Sequence, residues 1–479
     1  MRGVFLSVLA VALAGVSCAD AQMLDVFRTR GDVPVTPAAP LLKDASCGAL
    51  PGTQPLELDD AILLAICANP QARRAWAEAR AQAAALGIAD AAYLPTLNAT
   101  AGVERDTLST TYDTGVSGAI SVSQNTSSKY GTLNLSWVLF DFGKRGAARR
   151  QARALLAAAN ATQDDALQTV FFNAAETFYA VRDAQASLDS ARQTEAIAHE
   201  SLMEATAKHE AGAGTLADEL QARTSYRRAV LDRVSAEGDA NTATGTLAVA
   251  LGLEANAAVR IAPREHGMDA DASDDIATGI DQLIDEAKQS HPKLVAAHAK
   301  LDAARANVDA VRAQGRPTIS LVGNLTQNNP STQQQAQSTP ITRSRGSTIG
   351  VQVTIPLFEG FASGYRIVQA RAQADAQEAG LRDTELQVSL DVWKSYHAVQ
   401  TDALNLINSR ALLDDAQHAL EIARGRYREG VGTFTDLLNA QTALADAQKQ
   451  RVLAVSKWRT ARLKLAASLG KLRMRDERM

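Results

Sequence analysis

Two glycine-rich turns hold the residues with the most pointed chemistry in this sequence. Gly212-Ala213-Gly214-Thr215 is followed by Asp218, and Gly430-Val431-Gly432-Thr433 by Asp436, each aspartate three residues after a threonine. Where such a segment opens a helix, the threonine oxygen accepts the N3 amide and the acid reaches back to the threonine amide. The carboxylate also lies in the positive field of the helix N-terminus. Helix capping alone therefore accounts for both acids. The seven histidines show no ligand spacing, and His199 and His209 stand on a charged helix. No phosphate loop, nucleophile elbow or metal motif occurs in the sequence. It offers no catalytic set, cofactor site or metal site, and reads as a non-enzyme.

The bulk properties narrow the class. Net charge is −4, which leaves no electrostatic footprint for nucleic acid. Residues 1–21 read as a secretory signal, with Arg2, an apolar run from Val4 to Val16, and the small-x-small pattern Ala19-Asp20-Ala21. Val16-Ser17-Cys18 leaves lipidation of Cys18 open, although Gly15 stands where leucine is usual. No other segment approaches a transmembrane helix, so any membrane embedding must use strands. Once the signal is removed, Cys47 and Cys67 remain in an oxidising compartment. They either pair, contributing on the order of 3 kcal/mol, or stay as two buried thiols.

The elements that must position the two turns are themselves written twice. Asn69-Pro70 returns as His291-Pro292 and Leu94-Pro95-Thr96 as Arg316-Pro317-Thr318, both 222 residues on. Leu139-Phe140-Asp141 returns as Leu357-Phe358-Glu359, the glycine turns return as above, and Leu251-Gly252 returns as Leu469-Gly470, all 218 residues on. The period is far too long for a solenoid. After an extended, proline-rich arm over 22–56, the first copy covers 57–258 and the second 286–470. An acidic segment over 259–285 joins them, and 471–479 forms a tail.

In each copy the hydrophobic period changes twice. A helix starting at Pro70, or at Pro292, stops before the next proline. Period-two alternation then predicts strands over 96–106, 130–140, 317–327 and 347–358, each about ten residues, the length a tilted strand needs to cross a bilayer. Polar loops separate the paired strands, from Asp106 to Lys129 and from Asn328 to Arg345. Unbroken helices follow over 144–211 and 362–429, about 100 Å each at 1.5 Å per residue. Helices over 215–251 and 433–469 return. Leu437, Ala440, Leu444, Ala447, Val455, Trp458, Leu465 and Leu469 form a 3/4-spaced seam along the last of them. Four strands cannot close a barrel, which needs about eight; three chains would supply twelve.

The duplicated order resembles the TolC-type outer-membrane factor family. Its marks are Asn69-Pro70, Ala92-Tyr93-Leu94-Pro95-Thr96-Leu97, Trp137-Val138-Leu139-Phe140-Asp141-Phe142-Gly143, Ile355-Pro356-Leu357-Phe358-Glu359-Gly360 and Tyr427-Arg428-Glu429-Gly430-Val431-Gly432-Thr433. The stretch from Asn69 to Trp76, with Leu94-Pro95, is most similar to the type I secretion members, such as the exporter of the adenylate cyclase-haemolysin toxin. The resemblance implies a mainly α protein with a membrane β-barrel: a homotrimer whose twelve-stranded barrel, four strands per chain, stands on a long α-helical periplasmic barrel. It implies a location in the outer membrane of a Gram-negative bacterium, extending into the periplasm. It also implies a passive exit duct docked through a periplasmic adaptor onto an inner-membrane ABC or proton-driven pump. The alternative cargo within the same class is a drug or metal ion.

The same resemblance assigns the turns. They form the periplasmic tip, where an inter-helix link falls on Asp218 and Tyr427, and an acidic ring in the lumen falls on Asp436. The second acid of the family's ring is Asn439 here, its locking arginine is Gly432, and that arginine's threonine partner is Ala217. Trp137 is a candidate for an aromatic girdle, and Lys144-Arg145 and Arg149-Arg150 for anchors below the membrane. Trp76, Trp393 and Trp458 read as core or interface residues.

Overall fold

Prolines at N1 and glycines at the ends punctuate this chain as the sequence predicts. The computed structural model describes residues 25–41, 47, 55–113, 115, 118–262, 279–329 and 343–472. The signal segment with Cys18, the centre of the 328–345 loop, most of the connecting segment and the tail beyond Leu472 lie outside those residues. The helices are α1 (Leu58–Ala68), α2 (Pro70–Ala91), α3 (Lys144–Glu210), α4 (Leu216–Ala250), α5 (Ile280–Ser290), α6 (Pro292–Gln314), α7 (Ala362–Arg428) and α8 (Phe434–Ser468). The strands are β1 (Thr96–Asp113), β2 (Ala119–Phe140), β3 (Thr318–Asn329) and β4 (Ser344–Thr354), in one antiparallel sheet of order β1-β2-β3-β4.

Several boundaries differ from expectation. Most of the polar stretch from Asp106 to Lys129 is strand, because Thr107, Ser109 and Thr111 face Asn125, Ser123 and Ser121 in unbroken register. Cross-strand hydroxyl and amide contacts, Thr107 to Asn125 at 2.7 Å and Thr111 to Ser121 at 2.9 Å, stabilise that extension. β2 meets β3 only from Lys129 onward, so the outer parts of β1 and β2 form a two-stranded ribbon. β4 starts at Ser344 and stops at Thr354 rather than running over 347–358, since Pro356 brings no N–H to a ladder. The arm carries a 3₁₀ turn over Thr29–Asp32. α5 begins at Ile280, inside the segment read as a connector, and Leu472 of the tail is buried.

The described residues divide into two compact units, one lying within 1–33, 80–156 and 302–376, the other within 34–79, 157–301 and 377–479. In the first, the sheet accompanies a small apolar contact of Val308 with Ala370 and Ala374. Asp141 receives Arg145 N at 3.0 Å and Arg145 Nε at 2.8 Å at the start of α3. Burial acts to raise the Asp141 pKa, but hydrogen bonds from Arg145 and Gly143 and the guanidinium charge hold it below its usual value. In the second copy the corresponding acid, Glu359, pairs instead with Arg366, seven residues on, at 3.1 Å.

The second unit holds the larger core. Ile62 and Ile66 of α1 meet Leu167, Phe171 and Phe178 of α3, with Leu247, Leu251 and Leu472. Each such side chain contributes about 1.5–3 kcal/mol on full burial. The counterpart cluster joins Leu283, Leu294, Leu301, Val388, Val392 and Leu469. In both, the X-Pro elbow meets the Leu-Gly end of the returning helix. Asn69 Oδ1 accepts Gln71 N at 2.8 Å, and Asn69 Nδ2 donates to the Ala250 carbonyl at 3.0 Å. Cys47 and Cys67 are joined as a disulfide.

At the second elbow His291 takes the place of Asn69. Its Nδ1 accepts Lys293 N at 3.2 Å, so the ring must be neutral to make the bond. Burial, reinforced by the Lys293 charge and only partly opposed by Asp391, lowers its pKa from 6.5 to about 4. The unfolded chain therefore binds a proton that the folded chain refuses between those values, and stability falls as pH drops through that window. The expected loss is about 2 kcal/mol between pH 7 and pH 5. Urea unfolding at the two pH values should show it in the wild type and far less in His291→Asn, which keeps the acceptor. Equal acid sensitivity in the two proteins would assign it to other groups.

Candidate functional site

The two glycine turns are built alike. Gly212 N donates to the His209 carbonyl at 2.9 Å and Gly214 N to that of Lys208 at 2.9 Å. Gly430 N donates to the Tyr427 carbonyl at 3.2 Å and Gly432 N to that of Arg426 at 3.0 Å. Gly212 and Gly430 adopt φ of 70° and 75°. A Cβ on Gly432 would lie 3.0 Å from Arg426 Cβ and 3.2 Å from backbone. A side chain at Gly432 would thus require the turn to shift by a few tenths of an ångström.

Both aspartates cap helices. Thr215 Oγ1 accepts Asp218 N at 3.1 Å, and Asp218 Oδ2 accepts Thr215 Oγ1 at 2.8 Å and Thr215 N at 3.4 Å. Thr433 Oγ1 accepts Asp436 N at 3.1 Å, and Asp436 Oδ2 accepts Thr433 N at 3.2 Å. The hydrogen bonds from Thr433, aided by the Arg426 charge, hold the exposed Asp436 carboxyl below its usual pKa. It is ionised at neutral pH. Ala217 and Asn439 are exposed.

Tyr427 is buried against Ala205, Ala222, Phe434 and Leu437, where all four long helices contribute. The Lys208 ammonium lies 3.7 Å from the Tyr427 ring centre and donates to the Tyr427 carbonyl at 2.6 Å. Burial, then the charges of Asp218 and Glu204, push the phenol pKa up. Asp218 is therefore close enough for its field to reach Tyr427, while its carboxylate serves Thr215. Sequence reasoning missed the surrounding ions. Glu200 clasps Arg424 and Arg428, Glu204 reaches Arg428 at 3.9 Å, and Glu219 joins His209 at 2.7 Å and Arg223. The signal available was the charge clustered just before the glycine turns, Lys208-His209-Glu210 in the first copy and Arg424, Arg426, Arg428 and Glu429 in the second.

Beyond the glycine turn the α8 seam buries Leu437, Leu444, Ala447, Val455, Trp458 and Leu469 as its spacing predicts, with Ala440 and Leu465 half-buried. Two polar contacts interrupt it. Gln441 Nε2 donates to Ser201 Oγ at 2.6 Å in a buried setting, and Ser190 Oγ donates to Gln448 Oε1 at 2.7 Å.

The sheet, in the first unit, separates two environments by residue parity. Leu97, Val103, Leu325, Ile349, Val351 and Val353 present apolar side chains on one face and are exposed. The other face carries Asn98, Thr100, Thr132, Asn134, Asn324 and Thr326, with Asn324 Nδ2 donating to Asn134 Oδ1 at 2.6 Å. Where the strands run into the helices, Tyr93, Trp137, Phe140, Phe142, Phe358, Phe361 and Tyr365 are all exposed. Trp137 Nε1 donates to the Tyr93 carbonyl at 2.9 Å. An apolar face bordered by aromatic rings is the pattern of a strand wall in lipid. Among the described residues no helix is long and apolar enough to cross a membrane.

The profile of a family described as outer membrane efflux protein matches residues 61–253 and 283–471, the two copies of the repeat. Protein CyaE of Bordetella pertussis is 32% identical over 418 residues, 87% of this chain and 84% of that protein. The outer membrane protein TolC of Salmonella enteritidis is 22% identical over 413 residues, 85% of this chain and 80% of that protein. Among solved structures, the outer-membrane channel OprN superposes with a TM-score of 0.74 at 21% identity, covering 87% of this chain and 90% of that one. The chain belongs to the outer membrane efflux protein family, as a non-enzymatic channel component of the outer membrane that extends across the periplasm.

Proposed function

We propose that three copies of this chain close into one duct, and that the duct is the outer-membrane exit of a type I protein secretion system. The observation that carries the reading is the sheet itself: four strands with β1 and β4 as open edges, one apolar face and one polar face. Unpaired edges in lipid are untenable, because each orphaned backbone group costs several kcal/mol. Closure through two further copies removes them. Export energy then comes from an inner-membrane pump reached through a periplasmic adaptor. For cargo, the likeness of Asn69 to Trp76 to type I components favours protein over small molecules, and identity to CyaE exceeds that to TolC.

The glycine turns form the tip of the duct. Asp436, ionised and exposed, supplies one carboxylate per chain, and three of them around a narrow axis favour cations. Lys208 on Tyr427 and Glu200 between Arg424 and Arg428 tie α3 to α7 and hold that tip closed. Single-channel currents in planar bilayers test the duct. Wild-type protein should give a small, cation-preferring conductance, and Asp436→Asn should lose much of the preference. Channels indifferent to that change would reduce Asp436 to a cap. A folded trimer giving no channels would sink the duct.

A further inference from the structure

We propose that Arg105, Lys129 and Arg345 form a cationic docking surface for the phosphorylated glycolipid of the outer leaflet. The inference rests on the barrel reading above and adds a lipid partner to it. Register places the three cations together. Lys129 faces Val103 and Asn329, Arg345 faces Gln327, and Arg105 faces Ser127, in neighbouring rows at the hairpin end of the sheet. Side chains two apart in a strand share a face. Arg105 therefore follows Val103 on the apolar face, Lys129 lies on the face of Leu133 and Leu135, and Arg345 on that of Ile349 and Val351.

All three are exposed, and none makes an ion pair among the described residues. Glu104 stands on the opposite, polar face, and Asp113 is eight residues beyond Arg105 at the ribbon tip, where it accepts Gly115 N at 3.0 Å. Positive charge thus faces outward while the nearest of these acids faces inward.

The level is the decisive point. From Leu139, in the aromatic zone, to Lys129 is ten residues, about 34 Å along the strand. At a tilt of about 40° this is about 26 Å along the membrane normal, against about 25 Å for the apolar band of an outer-membrane barrel. The cations therefore sit at the outer headgroup layer, on the lipid side, where the anionic groups available are sugar-linked phosphates. Guanidinium groups suit them through paired N–H bonds. Closure by three chains makes the cations a ring of nine.

The test uses full-length trimers reconstituted in phosphatidylcholine vesicles containing either phosphorylated lipopolysaccharide or its enzymatically dephosphorylated form. Vesicles are washed with urea to verify insertion, then solubilised, and the lipid retained per trimer is measured by native mass spectrometry. Wild-type protein should retain the phosphorylated form at least about tenfold better, on the basis of about 1 kcal/mol per cation. The variant Arg105→Gln/Lys129→Gln/Arg345→Gln should lose that preference, and Arg105→Lys/Arg345→Lys should keep most of it. Inserted wild-type protein that retains both forms equally would overturn the surface and leave the barrel standing. Protein that washes out in urea would overturn the barrel and the surface together. The wild-type comparison between lipids decides the matter even where the triple variant does not assemble.

Discussion

Gly252→Ala should lower the stability of this protein by about 3 kcal/mol, while Gly238→Ala in the helix just before it should raise it. Gly252 ends α4 with φ of 81°, a conformation costing an L-residue about 1–2 kcal/mol. A Cβ there would also stand 2.9 Å from the carbonyl carbon and oxygen of Ala68 and 3.0 Å from Asn69 Cα. Those atoms belong to the elbow that starts α2, so they cannot step aside as a flexible side chain could, and overpacking adds about 1–3 kcal/mol. Gly238 meets nothing within 4 Å, and alanine is the better helix former by about 0.8–1.0 kcal/mol. Urea titration of both variants separates the two effects by sign. Equal midpoints would show that the Leu-Gly contact at Ala68 relaxes freely.

Reduction of Cys47–Cys67 is the second large effect. The bridge closes a sequence separation of 20 residues, and in the chain-entropy account its loss costs about 3 kcal/mol. Locally it staples the arm onto a surface it also reaches through weaker contacts. Trp76 Nε1 donates to the Pro34 carbonyl at 2.8 Å, Gln163 Nε2 to that of Pro37 at 3.3 Å, and Ala38 is buried in the main core. Past the bridge, Leu56 exchanges 2.8 Å backbone bonds with Arg260 and Ala262. Wild-type protein should unfold at lower urea in dithiothreitol, and Cys47→Ala/Cys67→Ala should match the reduced wild type and ignore the reductant. Unfolding at one midpoint with and without reductant would leave the bridge no thermodynamic role.

The sequence was most legible where the period is long and punctuation hard. Pro70, Pro292 and the glycine turns set the helix bounds within a residue or so, because proline and left-handed glycine act locally. The ribbon between Thr107 and Asn125 was misread because serine and threonine are read as loop formers when alone, yet pair well when a partner strand holds them in register. The α8 seam was visible as periodicity. Gln441 was not, since its burial depends on Ser201, 240 residues away. The ions beside the glycine turns share that cause: Lys208 meets Tyr427 only after two separate hairpins pack. Capping by Asp218 and Asp436 was readable, being contained within four residues.

A duplicated chain amounts to two independent trials of one local problem, and the elbows show which part of the answer was free to drift. Both trials kept glycine at the close approach, where a Cβ on Gly470 would stand 2.9 Å from Pro292 Cδ as one on Gly252 would from Ala68. Beside it they diverged to Asn69 and His291, which share only an acceptor for the amide two residues on. Backbone crowding tolerated no alternative. The neighbouring side chain was interchangeable so long as it accepted one N–H, and through that latitude one half of the molecule acquired a sensitivity to acid that the other half has at this position no group to share.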